Sequence, residues 1–321
     1  MNKFENHDGT VWLDAEKQGR IFASINDRIL HRFDAEKAAN PHPVEFNNIG
    51  GNSLWPAPEG GDFAYNYPDG AWSVQPGINT AKSEIVPADH PICARTVKIT
   101  NRKHTVLELT LRREIFPLEM AAEPNLKCTA YRSLDTLALG EPCRTDEAVL
   151  AAWSLEQFSN IRGGIAFGKV NTPAQAINAA YYGDPSPLLD YGENFFRFRL
   201  NEQDRLQIGV RASANCACIG AWSPTQNLLI LRSCLPGKGT RIDIADNDQK
   251  NGVYGAEDQY SIFCGGPLNF FELETIAPME LSNGKVTGST LISETRFYQG
   301  EKAELEKLLH EKLNLPLHFL S

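Results

Sequence analysis

The sequence predicts an all-β protein built from packed antiparallel sheets. Three observations carry that reading: apolar and polar residues alternate in many short runs, turn residues separate the runs, and no βαβ rhythm appears. The chain has 321 residues with no break in composition, so one domain spanning 1–321 is expected. A sandwich of this length needs long strands and large sheets.

In chain order, Val11-Trp12-Leu13 and Arg20-Ile21-Phe22-Ala23-Ser24-Ile25 read as short strands, and 34–39 as at most one helical turn. Residues 41–91 are rich in proline and glycine, with Trp55, Phe63, Tyr65, Tyr67 and Trp72 among them. Proline and glycine at this density forbid a long helix, and the aromatic content argues against a disordered linker. Ordered loops and short strands are expected there, a common setting for a binding surface. Residues 96–100 and 105–111 alternate around Asn101-Arg102-Lys103 and predict a hairpin. Residues 148–155 and 164–167 continue the strand pattern. A second hairpin is predicted from 195–200 and 205–211 around Asn201-Glu202-Gln203-Asp204, and 227–232 reads as a buried strand. Glu301 to Leu313 predicts a helix, with Leu305, Leu308, Leu309 and Leu313 on one stripe and Pro316 beyond its end.

The stretch 268–278 carries the chemistry. Strand alternation puts Phe271, Leu273 and Thr275 on one face and Phe270, Glu272 and Glu274 on the other. The two carboxylates then lie roughly 6.5–7 Å apart at the strand rise. Close carboxylates repel when both are ionised, so one holds its proton longer and the pair can act as base and acid. The alternative is a solvated outer face carrying two unremarkable glutamates.

The formal net charge of −9, without any run of lysines and arginines, shows no footprint for nucleic acid or an anionic membrane. A polar N-terminal stretch and the lack of a long apolar segment make a cytoplasmic protein the expectation. The seven cysteines show no CxxC pair and no zinc spacing, so neither a metal nor a cofactor is called for. Cys216 and Cys218 would point the same way on a strand and read as packed thiols in a reducing compartment.

Three stretches resemble the galactose mutarotase-like superfamily, and in particular its uncharacterised bacterial members. Asn47-Asn48-Ile49-Gly50-Gly51-Asn52-Ser53-Leu54-Trp55-Pro56-Ala57-Pro58-Glu59-Gly60-Gly61 is similar to their "GG…W…PEGG" loop. Phe271-Glu272-Leu273-Glu274-Thr275-Ile276-Ala277-Pro278 is similar to their "ELET…P" strand. Ser293-Glu294-Thr295-Arg296-Phe297-Tyr298-Gln299-Gly300 is similar to their closing strand. The resemblance implies a large β-supersandwich and a small-molecule carbohydrate as ligand. In aldose 1-epimerases a glutamate of a late "LET" strand is the base, which here implies Glu274. A histidine acid protonates the ring oxygen, the ring opens, and the sugar recloses with the other configuration. This chain departs from that pattern, because no histidine lies between His104 and His310. Glu272 or Glu59 could replace the acid, or the protein could bind sugar without turnover. His90 and His104 read as site or surface residues.

Trp55, Trp72 and Trp222 offer flat faces on which sugar C–H groups can stack; core packing is the alternative for each. Trp153, in an apolar strand, is assigned to the core. Glu59, on a tight loop, is either a site carboxylate or a turn residue. Lys238 lacks phosphate-loop spacing and reads as a turn lysine.

Overall fold

Alternation turns into strands almost throughout. The computed structural model describes residues 2–159, 161–244 and 257–321. Its strands form two antiparallel sheets. In the ten-stranded sheet the order is Lys3–Asn6, Gly9–Asp14, Arg20–Ile25, Asn52–Ala57, Ala151–Ser159, Phe270–Ile276, Asp258–Cys264, Leu206–Arg211 and Ile177–Asn178, with Arg28–Ile29 paired beside Arg20–Ile25. In the eleven-stranded sheet it is Leu189–Tyr191, Phe195–Arg199, Ile165–Lys169, Cys218–Ser223, Leu228–Cys234, Lys285–Gln299, Lys127–Arg144, Val106–Pro117, Ile92–Thr100 and Glu84–Ile85, with Glu280–Ser282 on Lys285–Gln299. The faces turned toward each other bury one apolar cluster, to which both sheets contribute: Ile21, Leu54, Phe158, Phe271 and Leu273 from one, Leu109, Leu137, Ile230 and Phe297 from the other.

The hairpin expected at 96–111 forms between Ile92–Thr100 and Val106–Pro117. The one expected at 195–211 does not. Phe195–Arg199 pairs with Ile165–Lys169 and Leu189–Tyr191, whereas Leu206–Arg211 pairs with Asp258–Cys264 in the other sheet. Alternation encodes which face is buried, not which strand lies alongside, and here the link between the strands carries the chain from one sheet to the other. The longest strand, Lys127–Arg144, gave no clear signal, because its buried Ser133 and Asp135 interrupt the apolar period.

Polar groups inside the sandwich pair with one another. Glu156 accepts from His31 Nε2 at 2.7 Å, from the Tyr131 hydroxyl at 2.7 Å and from Thr295 Oγ1 at 2.8 Å, and forms an ion pair with Arg232. Burial and the Arg232 charge push His31 down to about 3, so the imidazole is neutral. Its Nδ1 accepts from the Ala23 N–H at 3.0 Å, which leaves the proton on Nε2. Arg113 pairs with Asp135 at 2.7 Å and reaches Asn52 across the core. These contacts tie Asn52–Ala57 and Ala151–Ser159 to the opposite sheet.

The C-terminal helix spans Lys302–Leu313 and buries Leu305, Leu308 and Leu309. It lies on the outer face of the eleven-stranded sheet, against Ile165, Phe167, Leu229 and Leu231. All seven cysteines are free thiols. Cys216 and Cys218 do not share an orientation, since the strand begins only at Cys218. Cys216 packs in the inter-sheet core, and Cys218 lines a hollow near the helix end. Among the described residues, no helix is long and apolar enough to cross a membrane, and no group of histidine, cysteine and carboxylate side chains could hold a metal ion.

Candidate functional site

Phe271, Leu273 and Thr275 point into the sandwich; Thr275 Oγ1 meets Arg232 and Ser293 of the other sheet at 3.0 and 2.8 Å. Glu272 and Glu274 therefore project from the outer face of the ten-stranded sheet, as period two demands. Register sets their neighbours. Glu272 lies between Gln157 and Phe263, and Glu274 between Leu155 and Ser261. Trp153 faces Trp55 one strand further on.

That face is not open to solvent. Phe46, Asn48, Glu59, Tyr67 and Trp72 wall it on one side, and Tyr182, Arg205 and Leu268 on the other. They enclose a cleft of about 430 Å³ whose floor is Ser53, Trp55, Trp153, Leu155, Gln157, Phe263, Glu272 and Glu274. The expectation of a solvated outer face is thereby overturned: Glu272 is 7% and Glu274 1% exposed.

Each carboxyl has an oriented partner. Trp153 Nε1 donates to Glu274 Oε2 at 2.9 Å, so this tryptophan is more than core filling. Gln157 Nε2 donates to Glu272 Oε1 at 2.6 Å, while Gln157 Oε1 accepts from Arg32 at 3.2 Å. Trp72 Nε1 donates to Glu59 Oε1 at 2.6 Å. Burial raises all three carboxyls above the usual carboxylate range. It pushes Glu59 up to about 8, the Trp72 bond and the nearby Arg205 charge opposing it. It raises Glu272, while hydrogen bonds from Gln157 and Glu274 and the charges of Arg32 and Arg20 oppose it. It raises Glu274 well above that range, the adjacent Glu272 pushing the same way and bonds from Trp153 and Ser261 opposing. The two carboxyls are coupled, and Glu272 pushes Glu274 further toward its protonated form.

Aromatic rings complete the lining. Phe46 packs edge-on against Trp55 and Trp72 at 5.4 and 5.7 Å. The Arg205 guanidinium lies 3.9 Å from the Tyr182 ring centroid and donates to the Tyr182 hydroxyl at 2.8 Å. The Gly50-Gly51 pair lets the loop approach closely: a side chain on Gly50, at φ +98°, would meet the Arg32 carbonyl oxygen at 2.0 Å.

The structure thus brings Trp55, Glu59, Trp72, Glu272 and Glu274 into one cleft. It does not bring Trp222. That residue lies on the outer face of the other sheet, buried beneath the C-terminal helix with Lys302 Nζ 5.1 Å from its ring centroid. Arg205, Tyr182, Gln157 and Phe263 were not anticipated. Gln157 and Phe263 flank Glu272 only through strand pairing, and Arg205 and Tyr182 approach from separate loops. His90 is paired with Glu114 and Asp89 and stacked on Phe116, away from the cleft, and no histidine lines the cleft.

A family model described as a family of unknown function (DUF6786) matches residues 3–320. The chain belongs to the DUF6786 family. No curated protein matches its sequence. Among solved structures, the Slr1438 protein from Synechocystis sp. PCC 6803 superposes with a TM-score of 0.54 at 12% identity, over 94% of this chain and 96% of that one. A candidate aldose 1-epimerase from Escherichia coli K12 superposes with a TM-score of 0.52 at 11% identity, over 94% and 99% of the two chains. At such identities the likeness is one of fold. This DUF6786 chain therefore has the galactose mutarotase-like fold, as its motifs suggested.

Proposed function

We propose that the protein binds a carbohydrate in this cleft and that Glu272 and Glu274 exchange protons with it. The observation that carries this reading is the buried carboxyl pair on one face of a strand, set in an aromatic-lined floor. Apolar ring faces suit sugar C–H groups, and carboxyls and the Gln157 amide suit hydroxyls. The fold shared with a candidate aldose 1-epimerase supports the same ligand class.

The electrostatics favours Glu272 as the base and Glu274 as the acid, the reverse of what the "LET" resemblance implies. Burial and the adjacent Glu272 raise Glu274 well above its ordinary range, whereas the charges of Arg32 and Arg20 oppose the rise at Glu272. In this scheme Glu272 takes the proton of the anomeric hydroxyl while Glu274 gives its proton to the ring oxygen. The bond between anomeric carbon and ring oxygen breaks, leaving an open-chain aldehyde. Rotation about the adjacent carbon–carbon bond and the reverse transfers close the other anomer. Both exchanging oxygens are bonded to one carbon, so two adjacent carboxyls on one side can serve both. Such acid–base help contributes roughly 10²–10⁴-fold.

A second reading is binding without turnover, favoured by the lack of a histidine in the lining. Following anomer exchange of a hexose panel by NMR separates the two. The pair predicts an acceleration that Glu272→Gln or Glu274→Gln lowers by about 10²–10⁴-fold while binding persists. Acceleration untouched by both substitutions refutes the assignment of the pair. Binding without acceleration establishes the second reading.

A further inference from the structure

The cleft's polar groups are unevenly charged. Glu59, Glu272 and Glu274 line it, against one guanidinium among the described residues, that of Arg205. Arg205 is already engaged, over the Tyr182 ring and bonded to its hydroxyl. Glu59 is only 6% exposed; Trp72 occupies its Oε1, and among the described residues nothing donates to Oε2. A carboxyl oxygen left open to a cleft can accept from a ligand donor there. Glu272 lines the same cleft and works against ionisation of Glu59, so a cation arriving between them favours the ionised form of both. The Trp72 indole, 42% exposed, lines the same cleft, and an aromatic ring of this kind can take a cation against its face.

We propose that the ligand is an amine-bearing sugar, held with its ammonium group between Glu59 and Glu272 and against the Trp72 ring. This inference rests on the carbohydrate reading above. An ammonium supplies donors for Glu59 Oε2 and adds positive charge inside the cleft. A sugar phosphate would instead bring further negative charge beside three carboxyls, with Arg205 the one described cation in the lining. Burial of Glu59 works in the same direction, since its ionised form is destabilised until a cation arrives.

Titration calorimetry of the full chain near neutral pH tests this with D-glucose, D-galactose and D-mannose, their 2-amino-2-deoxy analogues, and their 6-phosphates. In at least one matched set the amino sugar is expected to bind at least about tenfold tighter than the neutral sugar, because one hydrogen bond to a charged group accounts for that much. The phosphate is expected to bind more weakly than the neutral sugar. Glu59→Gln, which keeps the shape but not the charge, is expected to bring amino and neutral sugars to within about threefold of each other. The wild-type comparison needs no variant, so a Gln substitution that fails to fold leaves the test intact. Equal affinities within every set, or a phosphate that binds tightest, overturn this inference and leave the carbohydrate reading standing. No binding of any of these sugars overturns both.

Discussion

Glu59→Gln should change how stability depends on pH, and the size of the change follows from where Glu59 lies. The carboxyl is buried, accepts one bond from Trp72, and has Arg205 and Glu272 as its charged neighbours. Its proton is held to about 8 in the folded protein, against an ordinary 4.5. Below 4.5 the group is protonated in both folded and unfolded chains, and glutamate and glutamine variants should be equally stable. Between 4.5 and about 8 the unfolded chain ionises while the folded one keeps its proton, so wild-type stability falls as pH rises. At about 1.36 kcal/mol per pH unit this interval integrates to roughly 5 kcal/mol, a ceiling that movement of Arg205 toward an ionised Glu59 would lower. The amide cannot ionise, so this loss is absent in Glu59→Gln. Urea melts of both proteins at pH 4.5, 7 and 9 should show the variant gaining on the wild type as pH rises, by at least about 1 kcal/mol at the highest pH. Glu272 and Glu274 are common to both proteins, so their contribution largely cancels. Parallel stability curves across the range, or a gain at the acidic end, would refute the placement of Glu59 as a buried, protonated carboxyl.

Arg232→Met should cost about 3–5 kcal/mol in urea denaturation, because it leaves Glu156 buried without its cation; the double variant with Glu156→Gln should recover part of that loss. A single-variant cost under about 1 kcal/mol would contradict the buried network. Leu308→Ala should destabilise by about 2–5 kcal/mol while leaving carbohydrate affinity unchanged, since the helix lies on the other sheet from the cleft. A change in affinity measured on the folded variant would show that the two sheets are coupled.

Some of this was legible in the sequence. Period two in 270–276 assigned Phe271 and Leu273 to the core and Glu272 and Glu274 to the opposite face, because side-chain direction along a strand is a local property of the backbone. The leucine stripe of 301–313 marked the helix for the same reason, and the three motifs in order identified the fold. What the sequence could not specify was pairing. The runs at 195–200 and 205–211 look like a hairpin, yet they belong to different sheets, since which strand lies alongside is decided by how both sheets bury their inner faces. Trp55 and Trp222 are equivalent by residue type, but one floors the cleft and the other is sealed beneath the helix. Whether Glu272 and Glu274 faced bulk water or a walled cavity depended on loops remote in sequence, those carrying Glu59, Trp72, Tyr182 and Arg205. Their proton affinities follow from that enclosure. A carboxyl's desolvation and its neighbours' charges are sums over everything packed around it, so only the tertiary structure decides them.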